Sequence, residues 1–560
     1  MNDKKNNVTL EEYENKFSYK KSKTNLNIEF NRIAFIFFLF LAISIIYSIQ
    51  LLHLGSLKIK NEDKLLSVKK NYRADIVDRN GNYLVKTVSS IDIGINPTEV
   101  IDKKKLLINL KLIFPNKDYI DISNKLKKKR YFYLEKKISA DNYEKIMSLG
   151  DKSIKSEEKL TRIYPQKNLF SHIIGQIDDN NKGISGLEKS FNKRLKEKRE
   201  PLQLTLDTDI QYLIREELVK VQSIFRSKGS TAILMNVNNG EILSMVSYPD
   251  FDLNKREVVN DLNFINRATK GVYELGSVFK TFTVAAGLEE GLIKTNTEFL
   301  NLEKKLKCGK NNISEYDNKI PSDLTVEQIL IRSANIGSVR IGQKLEIEKL
   351  KSFLQKIGIL SKINFDIEEV GVPIPFKWGK CKLATVSFGH GITTTPLQLA
   401  KAYGIIVNGG FEIQPSVIKK NSENSQNQKR IIKKGVSEQI NEILRKIVTT
   451  KEGTAGLANI DGYEVGGKTG TAEKATVGGY TRKAKVNTFA SIFPTSKPKY
   501  VMIVLLDEPK TSEDYIYKYK NKSGSYKGTP FNTAGWTSVE VAGKIIQKIG
   551  PILATKYQEN

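Results

Sequence analysis

Three short groups of polar residues, far apart along the chain, could together carry out acyl transfer. The first is Ser277 and Lys280, which stand one helical turn apart at the start of an apolar stretch. A serine hydroxyl becomes a strong nucleophile when a base removes its proton, and a buried lysine with a lowered pKa can be that base. The same spacing recurs elsewhere in this lysine-rich chain, in charged or loop-like surroundings. The preceding Gly276 and the apolar helix distinguish this pair from the others.

The second and third groups supply hydroxyls, an amide and a further amine. Ser333 and Asn335 follow a helical stretch, where a hydroxyl can relay a proton and an amide can hold a peptide carbonyl. The third group, residues 468–471, is predicted to be a strand that docks an extended peptide, with a glycine where the ligand approaches the backbone. Each pattern alone is also typical of an ordinary helix cap or a polar edge strand. Their order along one chain is the informative feature.

The elements that must position these groups are predicted from hydrophobic periodicity. Strand patterns occur near both ends of the C-terminal region, at residues 231–237, 241–246, 488–493 and 500–506. Helical patterns fill much of the interval, for example at residues 278–288 and 396–406. The chain therefore predicts one α+β domain over residues 201–560, whose sheet pairs segments that are distant in sequence.

The N-terminal part is predicted to anchor this domain. Residues 33–52 form an uncharged apolar run that, as a helix, spans about 30 Å, the thickness of a bilayer core. A cleavable signal peptide is the main alternative, but the run is long and no small-residue cleavage site follows it. We expect a polar tail at 1–32, a transmembrane helix at 33–52 and a β-rich, elongated pedestal of the dimerisation type at 53–200.

Composition narrows the classes of function. The 560 residues carry a formal net charge of +28, with lysines spread among acids along most of the length. No zinc-finger or RNA-binding motif accompanies them, so they indicate a solvated surface rather than nucleic-acid binding. The two cysteines and three histidines are too few and too scattered for a typical zinc site. Whether Cys308 and Cys381 pair is left open.

The three groups, in this order, form the motif set of the penicillin-binding proteins and active-site-serine β-lactamases. Further stretches resemble class B penicillin-binding proteins, at residues 73–81, 162–175, 183–192, 240–254, 266–280, 387–410 and 451–474. The resemblance covers roughly nine-tenths of the chain, which makes it more specific than any single motif. Residues 487–510 and 533–553 look most like the division-specific, septal member of that class.

This resemblance implies a peptidoglycan D,D-transpeptidase that cross-links stem peptides at the division septum and is inhibited by β-lactams. Ser277 would be the acylated nucleophile, Lys280 its base, and Ser333 would assist proton transfer to the leaving amine. The oxyanion would be held by the backbone N–H groups of Ser277 and Thr471. No metal or cofactor is implied, and His390 is expected to make a structural hydrogen bond.

The resemblance also implies the substrate contacts and the cellular setting. Asn335 would hold the donor peptide, Lys468 would supply positive potential, and Thr469 and Thr471, which flank Gly470, would meet the terminal carboxylate. The substrates would be stem peptides ending in D-Ala-D-Ala. The protein would cross the inner membrane once, with a cytoplasmic N-terminus and a periplasmic catalytic domain. Its partners would be a polytopic glycan polymerase and other division proteins.

Two other functions fit the same motifs. A D,D-carboxypeptidase or a β-lactamase would use water as the acyl acceptor, but a membrane anchor with a long pedestal favours cross-linking. A non-catalytic division scaffold or β-lactam sensor would not need Ser277, and the complete set of polar groups argues against it.

Overall fold

The computed structural model describes residues 23–56, 72–255, 261–309, 311–420, 429–476, 479–518 and 524–557. The chain divides into two compact units, Met1–Lys70 and Asn71–Asn560. In the first unit, helix α1 (Lys23–Ser56) contains the apolar stretch Asn31–Gly55, with a mean hydropathy of 2.5 and no burial inside the protein. At about 1.5 Å per residue, α1 is longer than a bilayer core. This helix fits a single N-terminal membrane anchor and contains the predicted span.

The second unit begins with the pedestal. Its elements are β1 (Ile76–Val77), β2 (Tyr83–Ile95), α2 (Lys103–Ile113), α3 (Tyr119–Lys127), β3 (Phe132–Glu135), α4 (Ala140–Met147), β4 (Ile154–Ile163), α5 (Ser171–Ile174), α6 (Gly186–Ser190), α7 (Asn192–Glu197) and β5 (Leu202–Gln203).

The C-terminal region continues the same unit. Its elements are α8 (Thr208–Phe225), β6 (Gly229–Asn236), β7 (Ile242–Tyr248), α9 (Lys280–Glu289), β8 (Glu298–Phe299), β9 (Lys305–Cys308), β10 (Asn311–Ser314), β11 (Leu324–Thr325), α10 (Val326–Ile331), α11 (Asn335–Lys356), α12 (Lys380–Val386), α13 (Pro396–Val407), α14 (Lys434–Thr449), β12 (Gly466–Thr476), β13 (Gly479–Phe493), β14 (Tyr500–Asp507), β15 (Ile516–Lys518), β16 (Ser525–Lys527) and α15 (Ser538–Lys556).

The pedestal sheet has the order β3-β2-β1-β5, with β4 also paired to β2. The turn after β1 contains Gly81, which has φ +88°, a conformation that glycine adopts without a Cβ penalty. Helices accompany the sheet because capping residues start them: Asp102 and Asp118 accept hydrogen bonds from the first free N–H groups of α2 and α3. The pedestal is therefore mixed, with helices beside the predicted strands.

Three charged side chains are buried together in the pedestal. Arg73 and Glu188 are both fully buried and form an ion pair, and Arg162 donates to the other oxygen of Glu188 over 3.0 Å. Arg73 also donates to Asn192 Oδ1 (2.8 Å), and Arg162 to the Ala74 carbonyl (2.8 Å). One carboxylate thus holds two guanidinium groups, and these bonds tie α6 and β4 to the segment that leads into β1.

The central sheet of the C-terminal region is antiparallel, with the order β12-β13-β14-β6-β7. Every residue of β14 is buried, which requires cover on both faces of the sheet. Helices α8 and α15 pack together on the sheet, and α13 packs on β14 and β6 and against α14. Strands from the start of the domain, β6 and β7, thus pair with strands from its end, as the sequence predicted. The α+β fold class is confirmed.

A disulfide joins two surface elements beside the sheet. Cys308 at the end of β9 bonds to Cys381 in α12, so the pairing that the sequence left open is present. Strands β9 and β10 form an antiparallel hairpin in which Cys308 faces Asn311. The disulfide therefore fixes this hairpin to the helix that precedes residues 387–391.

Candidate active site

Ser277 lies on a tight turn that feeds directly into a buried helix. Residues Gly276–Phe279 form a short 3₁₀ helix, and α9 starts at Lys280. Gly276 has φ +62°, and a Cβ there would lie 2.7 Å from the carbonyl oxygen of Thr471 in β12. Only glycine permits both this conformation and this approach. The turn thus holds the half-buried Ser277 next to the edge strand of the sheet.

Lys280 is fully buried and makes its hydrogen bonds to the second predicted group. Its Nζ donates to Asn335 Oδ1 (2.7 Å), to Ser333 Oγ (3.2 Å) and to the Ser333 carbonyl. Ser333 has φ +58°, a left-handed conformation that is rare for serine, and α11 begins two residues later. The bend between α10 and α11 therefore turns its hydroxyl and the amide of Asn335 toward Lys280.

Lys468, the first residue of the third predicted group, contacts the same bend at Ser333. It is fully buried in β12, and its Nζ donates to Ser333 Oγ over 2.9 Å and to the Thr469 carbonyl over 3.1 Å. The hydroxyl of Ser333 thus lies between the amines of Lys280 and Lys468. Three segments separated by more than fifty residues each share one hydrogen-bond network.

Burial makes both amines unusual bases. Loss of hydration lowers the pKa of Lys280 to about 7, and the negative charge of Glu315 opposes that change. Burial and the positive charge of Lys280 together lower the pKa of Lys468 well below its ordinary value. Because each charge disfavours the other, the two lysines titrate as a pair. Near neutral pH the site therefore holds a free amine that can accept a proton.

The remaining residues of the third group line β12 beside the serine turn. A Cβ on Gly470 would lie 2.1 Å from the Leu275 carbonyl, so the glycine allows the strand to approach the turn. Thr471 Oγ1 accepts from the Ala534 N–H (2.9 Å), which leaves its own proton free to donate. Thr469 Oγ1 lies 2.7 Å from Thr454 Oγ1. The structure therefore places all eight predicted residues around one point.

Two residues at this site have no counterpart in the sequence prediction. Glu315 accepts from the backbone N–H groups of Asn335 (2.6 Å) and Ile336 (2.7 Å), and Thr454 contacts Thr469. Neither belongs to one of the three predicted groups of polar residues, and the fold brings both to the site. His390 has its Nδ1 3.6 Å from Glu274 Oε2, and the structural role expected for it stays a prediction.

The sequence matches two protein-family models. Residues 230–530, more than half of the chain, match the penicillin-binding protein transpeptidase domain. Residues 69–223 match the penicillin-binding protein dimerisation domain. The first match contains all three polar groups, and the second covers most of the pedestal.

Comparison with individual proteins gives the same class. The chain is 31% identical over 497 residues to a probable peptidoglycan D,D-transpeptidase FtsI of Caulobacter vibrioides, covering 86% of this chain and 82% of that protein. It is 29% identical to stage V sporulation protein D of Bacillus subtilis, covering 87% and 79%. A peptidoglycan synthetase structure from Bifidobacterium adolescentis shares the fold, with a TM-score of 0.64 at 21% identity, over 87% of this chain and 96% of that one.

Proposed function

Because the chain belongs to the penicillin-binding protein transpeptidase family, we propose that it cross-links peptidoglycan at the division septum through an acyl-enzyme on Ser277. The observation that carries this proposal is the state of Lys280. This amine is fully buried, has a pKa lowered to about 7, and stands one turn after Ser277 on the same helical segment. A neutral amine in that position is the base that a serine nucleophile needs.

The acylation step follows from these positions. The Ser277 hydroxyl adds to the carbonyl of the penultimate D-alanine of a donor stem peptide, and its proton passes to the free amine of Lys280. The backbone N–H groups of Ser277 and Thr471 stabilise the oxyanion. The peptide C–N bond then breaks, and the leaving D-alanine takes up the proton through Ser333, whose hydroxyl bonds to both lysines. An ester on Ser277 remains.

The second step transfers the acyl group. The amine of a neighbouring stem peptide attacks the ester, loses a proton to the lysine pair, and leaves Ser277 with its hydroxyl restored. Before acylation, Asn335 holds the donor backbone, while Lys468, Thr469 and Thr471 bind the carboxylate of the terminal D-alanine through the β12 edge. A β-lactam enters by the same route, since its ring carbonyl occupies the position of the donor carbonyl and its carboxylate that of the peptide terminus.

The cellular setting is part of the proposal. The N-terminus is cytoplasmic, α1 crosses the inner membrane, and the catalytic domain is periplasmic. The Cys308–Cys381 disulfide supports this orientation, because disulfides persist in oxidising compartments such as the periplasm. A polytopic glycan polymerase and other division proteins are the proposed partners, since cross-linking needs newly made glycan strands.

Intact-mass analysis with a labelled penicillin tests the nucleophile. The wild-type chain should gain the mass of one penicillin, since ring opening expels no fragment, and peptide mapping should place the label on Ser277. The Ser277→Ala variant should remain unlabelled. An adduct of equal yield on that variant would contradict the proposal.

A donor peptide ending in D-Ala-D-Ala then separates the alternatives. In the presence of an amine acceptor, a transpeptidase gives the exchanged peptide as its main product, whereas a carboxypeptidase releases the shortened peptide. Rapid turnover of the penicillin would indicate a β-lactamase. Absence of any adduct on folded wild-type chain would favour the non-catalytic scaffold.

A further inference from the structure

The hairpin β9–β10 delivers one carboxylate to the bend that carries Ser333 and Asn335. At the hairpin's end, the Ser314 carbonyl accepts from Asn335 Nδ2 over 2.8 Å, and Glu315 is the next residue. At its other strand, Cys308 is bonded to Cys381. Both ends of the hairpin are thus fixed, so the position of Glu315 is determined by the fold.

Both oxygens of Glu315 are bound to the start of α11. Oε2 accepts from the Asn335 N–H over 2.6 Å, and Oε1 accepts from the Ile336 N–H over 2.7 Å. These are the first N–H groups of α11, whose first helical segment runs from Asn335 to a break at Glu346, and a carboxylate is favourable at such a helix start. The bend just before them contains Ser333 at φ +58°, a conformation that persists only where its surroundings hold it.

The charge of Glu315 also faces the amine of Lys280 across Asn335. Asn335 donates its N–H to Glu315 and accepts from Lys280 Nζ (2.7 Å). The charged groups that act on Lys280 are Glu315 from the hairpin and Lys468 from β12, with opposite signs. Burial lowers the pKa of Lys280, and Glu315 raises it. The carboxylate therefore limits how far the amine is weakened as a base.

We infer that Glu315 is a positioning residue of the reaction, which holds the Ser333–Asn335 bend against Lys280 and places a negative charge beside its amine. This inference rests on the proposed function, since it assigns the environment of the base that activates Ser277. Glu315 touches neither the nucleophile nor the reacting atoms. It acts through Asn335 and Lys280.

The test measures the second-order rate of acylation by a penicillin on the full-length chain, from about pH 5 to about pH 9. In the wild type, the rate should rise with pH and level off above a midpoint near 7, because the free amine of the lysine pair is the reactive form. Glu315→Gln keeps an acceptor oxygen but removes the charge. Its midpoint should move to lower pH by about one unit, with a lower plateau because the base is weaker.

Two further variants control for structure. Glu315→Asp retains the charge and should restore a midpoint close to that of the wild type, even if its rate is reduced. Glu303 pairs with Arg340, which lies on α11. Glu303→Gln removes this other carboxylate near the helix and should leave the pH midpoint of acylation unchanged. If Glu315→Gln does not fold, Glu315→Met, which removes the charge at a similar side-chain length, carries the same expectation.

The outcomes separate this inference from the proposed function. A wild-type chain that is acylated, with a Glu315→Gln midpoint equal to its own, would overturn the inference and leave the nucleophile assignment intact. A wild-type chain that is folded and never acylated would overturn both. A shift toward lower pH in Glu315→Gln, reversed in Glu315→Asp, would establish the inference.

Discussion

The molecule buries cationic side chains in two places, one with a carboxylate in direct contact and one without. At the pedestal, Arg73 and Arg162 share the carboxylate of Glu188, which contacts both guanidinium groups directly. At the candidate active site, Lys280 and Lys468 share the hydroxyl of Ser333, and no described carboxylate contacts either amine. Both clusters lie in the same compact unit and are nearly inaccessible to water.

The difference lies in what each cation can do without a counterion. A guanidinium stays protonated at any ordinary pH, so burying it requires an acceptor with a negative charge. An ammonium group can instead release its proton, which removes the cost of burying the charge. The pedestal cluster therefore contributes specific contacts between segments, whereas the lysine cluster can supply the base that the proposed reaction needs. Lysine at the candidate active site and arginine in the pedestal fit these two requirements.

The largest effect is expected when an arginine, the cation of the pedestal cluster, replaces a lysine at the candidate active site. Lys280→Arg keeps a cation at the site but removes the group that can lose its proton. Acylation by penicillin should fall on the order of 1000-fold, since general-base catalysis is lost. The measurement is the initial rate of adduct formation by mass spectrometry, normalised to folded protein. Acylation within about 10-fold of the wild-type rate would mean that Lys280 is not the base.

The next effect removes the counterion from the pedestal. Glu188→Ala leaves Arg73 and Arg162 buried without a carboxylate, which should lower the free energy of unfolding by about 3–5 kcal/mol. This change in the free energy of unfolding is measured by denaturant titration of the full-length chain in detergent. The titration is monitored by a spectroscopic signal that arises in the pedestal. The acylation rate per folded molecule should stay near that of wild type. If the Glu188→Ala variant had the same free energy of unfolding as the wild type, the cluster would not be required for stability.

The smallest effect concerns a pair that is not buried. Lys125 and Asp121 lie 2.6 Å apart on α3, with 44% and 51% of their side chains exposed. Asp121→Asn should change the free energy of unfolding by less than about 0.5 kcal/mol, because water screens exposed ion pairs. The same unfolding experiment checks it. If Asp121→Asn destabilised the protein as much as Glu188→Ala does, burial would not explain why the two ion pairs differ in their contribution to stability.

The site was largely predictable because its chemistry constrains residue type at each position. Ser277 and Lys280 were identified by their spacing together with Gly276, and the structure shows why that glycine is needed beside Thr471. The strand predicted at residues 468–471 likewise lies within β12, whose Lys468 reaches the bend at Ser333. Local sequence carries these features, since turn geometry and strand alternation depend on near neighbours.

Contacts between distant segments were not predictable from one sequence. Glu315 stands in a polar stretch without a recognisable motif, and its bonds to the start of α11 depend on where the hairpin lies. The ion pair of Arg73 with Glu188 joins residues 115 positions apart. No helix was predicted over α3, although Asp118 caps it, because the helix is short and only Ile122 and Leu126 are buried. Such features depend on tertiary packing, which periodicity does not encode.

The bond between Cys308 and Cys381 has a consequence for the order in which the enzyme matures. The 73-residue separation encloses Glu315, Ser333 and Asn335 in one covalent ring, while Ser277 and Lys468 stand outside it. The five strands of the central sheet and the helices that pack on them lie outside that ring, whereas the bend at Ser333 gains its covalent tie to α12 only after thiol oxidation. If Ser277 is the nucleophile as proposed, we therefore expect its full reactivity to depend on an oxidising compartment.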